Sequence, residues 1–147
     1  MKIQTKFLGE ITITQDDIFT FEAGIPGFSD AKQFVLLPIE SDITLATLQC
    51  VTNPAIGFIV AYPFAFKTDY AFDLADNDKE ELQLEVEEDA LVYSIITLKE
   101  TFESSTMNLL APIVLNKQTK RGKQLVLQQS ERYPLRHPIG TLEGSAK

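Results

Sequence analysis

The stretch Leu91-Val92-Tyr93-Ser94-Ile95-Ile96-Thr97-Leu98 decides the fold class. Its β-branched and aromatic enrichment marks a strand. It is apolar on both faces, as a strand in the middle of a sheet must be. Working outward, the same enrichment predicts strands over 44–51 and 57–62. Toward the C-terminus, Pro112 to Asn116 and Lys123 to Leu127 read as two more strands, with 117–122 as their hairpin loop. Toward the N-terminus, Ile3, Thr5 and Phe7 alternate with Lys2, Gln4 and Lys6, the period of a half-buried strand. Leu8-Gly9 reads as a turn, since glycine supplies the positive φ that hairpin turns need. Ile11 and Ile13 resume the alternation, and Ile18 to Phe21 form a third short strand. Gly24-Ile25-Pro26-Gly27 is a loop by composition. Phe34 to Leu37 is a short apolar run that Pro38 either ends or places at a sheet edge.

One helix signal stands out, at Asp78-Lys79-Glu80-Glu81. Asp78 can accept from the free N–H groups of a first turn, and Glu81 can reach back. Leu82, Leu84 and Val86 return to period 2, which predicts a short helix. The expected fold is mostly β: a single-domain antiparallel β-barrel-like or sandwich fold with one or two short helices. The domain spans 1–132. Residues 133–147 carry Pro134, Pro138 and two glycines and are expected to form a partly flexible tail.

A chain of 147 residues buries about 68–70% of its unfolded surface, so this one needs no metal or disulfide staple. Cys50, the only cysteine, precludes an internal disulfide and is read as a small buried strand residue. Met1 leads straight into the first strand without a signal-peptide core, and no apolar run approaches the ~18 residues of a membrane span. The expectation is a cytoplasmic monomer that does not touch membranes. Residues 1–116 hold 6 basic and 19 acidic side chains, a balance of −13. Residues 117–147 hold 7 basic and 2 acidic, a balance of +5. An acidic body repels phosphate, which disfavours direct nucleic-acid binding.

Catalytic chemistry is not legible. His137, the one histidine, lies between Arg136 and Pro138 and reads as an exposed loop residue. One His and one Cys make no zinc pattern, and no glycine-rich loop opens a helix. No catalytic residue, cofactor or metal is expected.

Three features invite interpretation. Residues 69–89 hold ten carboxylates against Lys79. The glycine an EF-hand needs after Asp76-Asn77-Asp78 is missing, which leaves a solvated acidic face or a docking surface for a basic partner. Tyr62 to Phe72 contains five aromatics in eleven residues, which could plug one end of a barrel or anchor a partner segment. The basic stretch Lys117 to Lys123 reads as an exposed hairpin tip.

Several blocks resemble the FliW family of flagellar assembly factors. They are Thr5-Lys6-Phe7-Leu8-Gly9-Glu10-Ile11, Phe21 to Phe28, Phe34 to Pro38, Asn53-Pro54, Tyr62-Pro63-Phe64 and Asp69-Tyr70. The most specific is Thr106 to Asn116, followed by Arg121-Gly122-Lys123-Gln124. The resemblance covers residues 2 to 138. It implies a non-enzymatic factor that binds flagellin and, when free of it, captures the translational repressor CsrA and antagonises its RNA binding allosterically, coupling flagellin synthesis to export. The alternative is a small β-barrel ligand-binding protein or enzyme with an aromatic-lined pocket. The partner-binding residues expected are Pro63, Phe64, Phe66, Asp69, Tyr70, Asp76, Asp78, Glu80, Glu81, Asn108, Leu109, Pro112 and Arg121, undivided between the two partners.

Overall fold

The computed structural model describes residues 1–39, 42–67, 70, 72, 74–101, 104–127 and 136–139, with the backbone alone at 42–44 and 87. The strand read first from sequence is the branch point of the sheet. This strand, β7 (Ala90–Thr97), is numbered after β1 (Lys2–Gln4), β2 (Glu10–Thr12), β3 (Ile18–Thr20), β4 (Gln33–Ile39), β5 (Asp42–Cys50) and β6 (Gly57–Ala61). After it come β8 (Thr106–Met107), β9 (Ile113–Asn116), β10 (Gly122–Gln124) and β11 (His137–Pro138). The antiparallel order is β10-β9-β7-β6-β5-β4-β3. Residues Ala90 to Tyr93 of β7 pair with β9, Ser94 and Ile95 with β6, and Ile96 and Thr97 with β8. β11 extends β8, and β1 and β2 form a separate hairpin.

The period-2 geometry sorts these strands into two faces. Phe19, Phe21, Phe34, Leu48, Val60, Ile113 and Leu115 meet on one face as a core in which strands from both ends of the sheet take part. That is possible only because the sheet curls. Among the described residues its edges touch at a parallel bridge between Thr20 and Arg121, where the Thr20 N–H donates to the Lys120 carbonyl at 2.8 Å. The sheet is thus barrel-like without being a continuous cylinder. At this seam Gly122 faces Phe21, and a Cβ there would lie 2.4 Å from the Phe21 ring.

The outer face is covered in three patches. Ile3 and Ile13 of the N-terminal hairpin cover Ile18 and Val35. Phe66, Tyr70, Met107, Leu109 and Ile139 cover Ala61 and Ile96. Leu82 and Leu84 cover Val114 and Leu125. On the same face Gln49 is fully buried: its Oε1 accepts from the Lys6 N–H at 2.9 Å, and its Nε2 donates to the carbonyls of Cys50 and Ile56 at 3.0 and 3.1 Å. A strand glutamine therefore fastens the N-terminal hairpin loop to the turn after β5. Cys50 is buried as expected.

Of the two readings of Pro38 the edge position holds: β4 continues to Ile39, and β3 pairs only with residues Gln33 to Val35, so Pro38 sits where β4 has no neighbour on that side. Other sequence expectations need correction. Asp78 is not a helix cap. Helix α1 (Asp76–Leu82) begins two residues earlier, with Ala75 at the N-cap, and the Asp78 carboxylate instead accepts from Lys123 Nζ at 2.6 Å. Leu84 and Val86 belong to no strand, because Gln83 takes a left-handed conformation (φ 54°) that ends α1 and turns the chain back over the sheet. The basic stretch 117–123 is not a free tip either. Lys120 lies over the Phe19 ring at 4.9 Å, Arg121 pairs with Glu22, and Lys123 is held by α1. Within the C-terminal segment, His137 is half-buried and pairs with Met107. Among the described residues no helix is long and apolar enough to cross a membrane.

Candidate functional site

After β6 ends at Ala61, Pro63 starts a single 3-10 turn (Pro63–Ala65), a position where a fixed φ and a missing N–H cost nothing. The Tyr70 N–H then donates to the Lys67 carbonyl at 3.0 Å. These turns carry successive rings from the edge of the inner core, where Tyr93 packs, onto the outer face, where Phe64 and Phe72 pack. Tyr93, Tyr62, Phe64, Tyr70 and Phe72 form a continuous ladder with centroid separations of 6.4, 5.1, 5.6 and 5.5 Å. Tilted and edge-on rings at these spacings attract beyond simple burial. Burial, and secondarily the neighbouring Tyr62, push the Tyr93 phenol above its ordinary value. The Tyr70 hydroxyl donates to the Leu109 carbonyl at 2.6 Å, which ties the ladder to the segment before β9.

A second wall rises from α1. Seven residues make barely two turns, too few to persist alone in water. The β9–β10 hairpin holds them. Asn116, 2% exposed, donates through Nδ2 to the carbonyls of Leu82 and Gln83 at 2.9 and 3.1 Å, and Thr119 donates to Leu82 at 2.9 Å. These donors satisfy carbonyls that a helix C-terminus leaves open. Lys123 holds the other side of α1 through Asp78 at 2.6 Å and Glu81 at 2.5 Å. Burial lowers the Lys123 pKa, but the hydrogen bonds and charges of Asp78 and Glu81 outweigh it, and the net shift is upward from 10.5.

Between the two walls lies a groove of about 500 Å³. Its floor is Ala90, Val92 and Val114, one wall is Phe64, Tyr70, Phe72 and Leu74, and the other is Lys79, Leu84, Glu85 and Val86. Val86 is 49% exposed at the lip. A smaller polar recess of about 240 Å³ lies at the seam, bounded by Thr20, Glu22, Glu81, Arg121 and Lys123. The inside of the curl is filled by side chains such as Phe21, Phe34 and Ile113, each 0% exposed.

The sequence-derived residues separate by place. Phe64 and Tyr70 line the groove, while Phe66, Pro63 and Leu109 are buried beneath it. Asn108 is half-buried, with its Oδ1 accepting from the Ala111 N–H at 2.9 Å, and Pro112 is buried. Asp76 and Glu80 project into solvent from α1. Glu81 and Arg121 both border the seam recess, and Lys123 joins Asp78 to Glu81. Asp69 lies outside the described residues. Sequence reasoning passed over Leu84, Glu85 and Val86, which line the groove, because their alternation resembled a strand. The left-handed Gln83, a residue that tolerates φ > 0 poorly, gave no advance signal.

Comparison with known proteins gives a consistent result. The profile of the FliW protein family matches residues 2–139. A flagellar assembly factor FliW from Exiguobacterium sp. is 46% identical over 140 residues, covering 95% of each chain. The protein of that name from Bacillus subtilis is 45% identical over 140 residues, covering 95% of this chain and 97% of its own. A crystal structure of the flagellar assembly factor FliW superposes with a TM-score of 0.90 at 42% identity, covering 97% of this chain and 99% of the other.

Proposed function

The chain belongs to the FliW family of flagellar assembly factors, and on that premise we propose that it acts in the cytoplasm by binding proteins rather than by catalysis. Its partners in this reading are flagellin and CsrA. Flagellin occupies the factor while it is plentiful. Once flagellin is exported, the freed factor captures CsrA and lifts its repression of flagellin translation. The observation that carries the reading is the groove beside α1, where apolar rings and carboxylates stand on one outer surface over a filled core. The inside of the curl, where a barrel-type carrier would keep an enclosed cavity, is packed with Phe21, Phe34 and Leu48.

Two roles divide the surface. The rings Phe64 and Tyr70, with the Asn108 to Pro112 segment beneath them, support a flagellin segment. The carboxylates of α1 and its flanks, held near a basic RNA-binding protein, lower the potential that attracts phosphate, an effect screened over about 8–10 Å. The first experiment is a size-exclusion titration with purified CsrA followed by flagellin. A complex that forms with CsrA and disperses on adding flagellin is the expected result, and failure to bind either protein would overturn the reading. Neutralising Asp76, Glu80, Glu85 and Glu88 together is expected to leave CsrA bound while weakening RNA release. Unchanged release would remove the electrostatic part of the mechanism.

A further inference from the structure

We infer that Asn116 is a joint through which helix α1 and the seam of the curl are conformationally coupled, so that loosening one loosens the other. The coupling belongs to the fold and holds whichever partners bind. It begins with the two ends of one buried side chain. Asn116, 2% exposed, donates through Nδ2 to the carbonyls of Leu82 and Gln83 at 2.9 and 3.1 Å, which closes the C-terminus of α1. Its Oδ1 accepts from the N–H groups of Gln118 and Thr119 at 2.9 and 3.3 Å, which shapes the turn between β9 and β10. A buried amide is satisfied at both ends only while both structures are in place.

That turn delivers the seam contact. Lys120 takes φ 61°, a left-handed conformation that a lysine keeps only where its surroundings fix it. Its N–H donates to the Asn116 carbonyl at 2.9 Å, and its own carbonyl accepts from the Thr20 N–H at 2.8 Å across the seam. Its Nζ lies over the Phe19 ring at 4.9 Å. The shape of the turn and the closure of the seam therefore depend on the same residue.

The other side of the hairpin carries α1. The Thr119 hydroxyl donates to the Leu82 carbonyl at 2.9 Å, Lys123 holds Asp78 at 2.6 Å, and the Lys117 N–H donates to the Asp89 carbonyl at 2.8 Å beyond the helix. Leu82 and Leu84 pack on Val114 and Leu125, which belong to the hairpin and its continuation. A helix of seven residues does not persist without such support. When α1 opens, the Asn116 Nδ2 loses both acceptors. Turning the side chain to find others withdraws Oδ1 from the turn that places the Lys120 carbonyl. Coupling of this kind is reciprocal, so strain at the seam reaches α1 by the same route. Whatever binds against α1 thereby alters the seam without touching it.

Amide-resolved hydrogen exchange on the full-length protein tests the joint, with changes made on the α1 side. Thr119→Val removes the bond to Leu82 and keeps the Thr119 N–H, and Asp78→Asn weakens the tie to Lys123. The Leu84 N–H, bonded to the Lys79 carbonyl at 2.9 Å, reports on α1, and the Thr20 N–H reports on the seam. The Cys50 N–H, bonded to the Ile56 carbonyl at 2.9 Å, is the control. In the double variant exchange is expected to quicken about tenfold at Leu84 and about threefold at Thr20, with Cys50 unchanged. In the reverse direction Gly122→Ala, which crowds Phe21 at the seam, is expected to quicken Leu84 as well as Thr20, beyond any change at Cys50. A double variant in which Leu84 quickens and Thr20 keeps the parental rate overturns the inference. So does uniform quickening that includes Cys50, which reports global unfolding in place of coupling. If neither Leu84 nor Thr20 changes, the hairpin is not what holds α1, and the inference falls as well.

Discussion

Gly122, Gly24 and Gly27 show how differently one residue type is constrained. Gly122→Ala drives a Cβ to 2.4 Å from Phe21 and 2.8 Å from Leu115, both fully buried, so the seam must open to admit it. A loss of about 1–3 kcal/mol is expected in urea unfolding. Gly24 and Gly27 both have positive φ, at 69° and 88°. A Cβ on Gly24 meets the Ser29 backbone at 2.7 Å, whereas nothing lies within 4 Å of one on Gly27. Gly27→Ala is therefore expected to cost only the about 1–2 kcal/mol of left-handed strain, and Gly24→Ala clearly more. Tyr70→Phe strands the buried Leu109 carbonyl that the hydroxyl now serves at 2.6 Å. It is expected to cost about 1–3 kcal/mol and to loosen the ladder. Lys123 titrates higher in the folded chain than its ordinary 10.5. A raised base stabilises fully below its unfolded pKa and loses that contribution as pH climbs through the folded value. The stability advantage of the parent over Lys123→Met, followed by thermal unfolding, is expected to stay level from neutral pH up to about pH 10.5 and to shrink above it.

At the scale of elements, α1 is a helix whose sequence signal was right in kind and wrong in wiring. The run of carboxylates favours a helix start, but Asp78 lies inside the first turn and serves Lys123, forty-five residues away. Sequence reading weighs local partners first, and nothing local announces a lysine delivered by a later hairpin. The same blindness explains residues 82–86. Apolar alternation is shared by a strand and by a chain that crosses a sheet after a left-handed turn, and only packing tells them apart. The long strands β5 and β7 were legible because two-sided burial writes itself into composition. The groove was half legible: its ring wall could be read as a dense aromatic run, whereas the Leu84–Val86 wall follows a helix end fastened by Asn116 and Thr119, residues distant in sequence. A double-mutant cycle on Asp78→Asn and Lys123→Met separates the two accounts. A cap tolerates asparagine and the two changes would add, while the ion pair predicts clear non-additivity. Asn116→Ala is expected to cost about 1–3 kcal/mol, with faster hydrogen exchange across Glu80 to Leu84 than elsewhere.

On the scale of the whole molecule, the curl joins chain segments that are far apart in sequence. Phe19 and Phe21 share a core with Ile113 and Leu115, and among the described residues the edges are fastened by the Thr20–Arg121 bridge and the Arg121–Glu22 pair. That pair is largely exposed, with Glu22 at 64%, so Arg121→Ala is expected to change stability by no more than about 1 kcal/mol. The seam rests on Phe21 beneath Gly122 more than on charge. Its placement also sets a timetable for biosynthesis. A ribosome releases Phe21 long before Ile113, Leu115 and Gly122, so the nascent chain carries an open sheet with a bare aromatic face for most of its translation. Domains generally fold as units, and exposed apolar faces and free strand edges invite aggregation until they do. The molecule therefore cannot become protease-resistant by instalments. Stalled chains ending before Ile113 are expected to be digested readily in a proteolysis assay, and those that have released Gln124 to be protected, with the closing hairpin acting as the checkpoint.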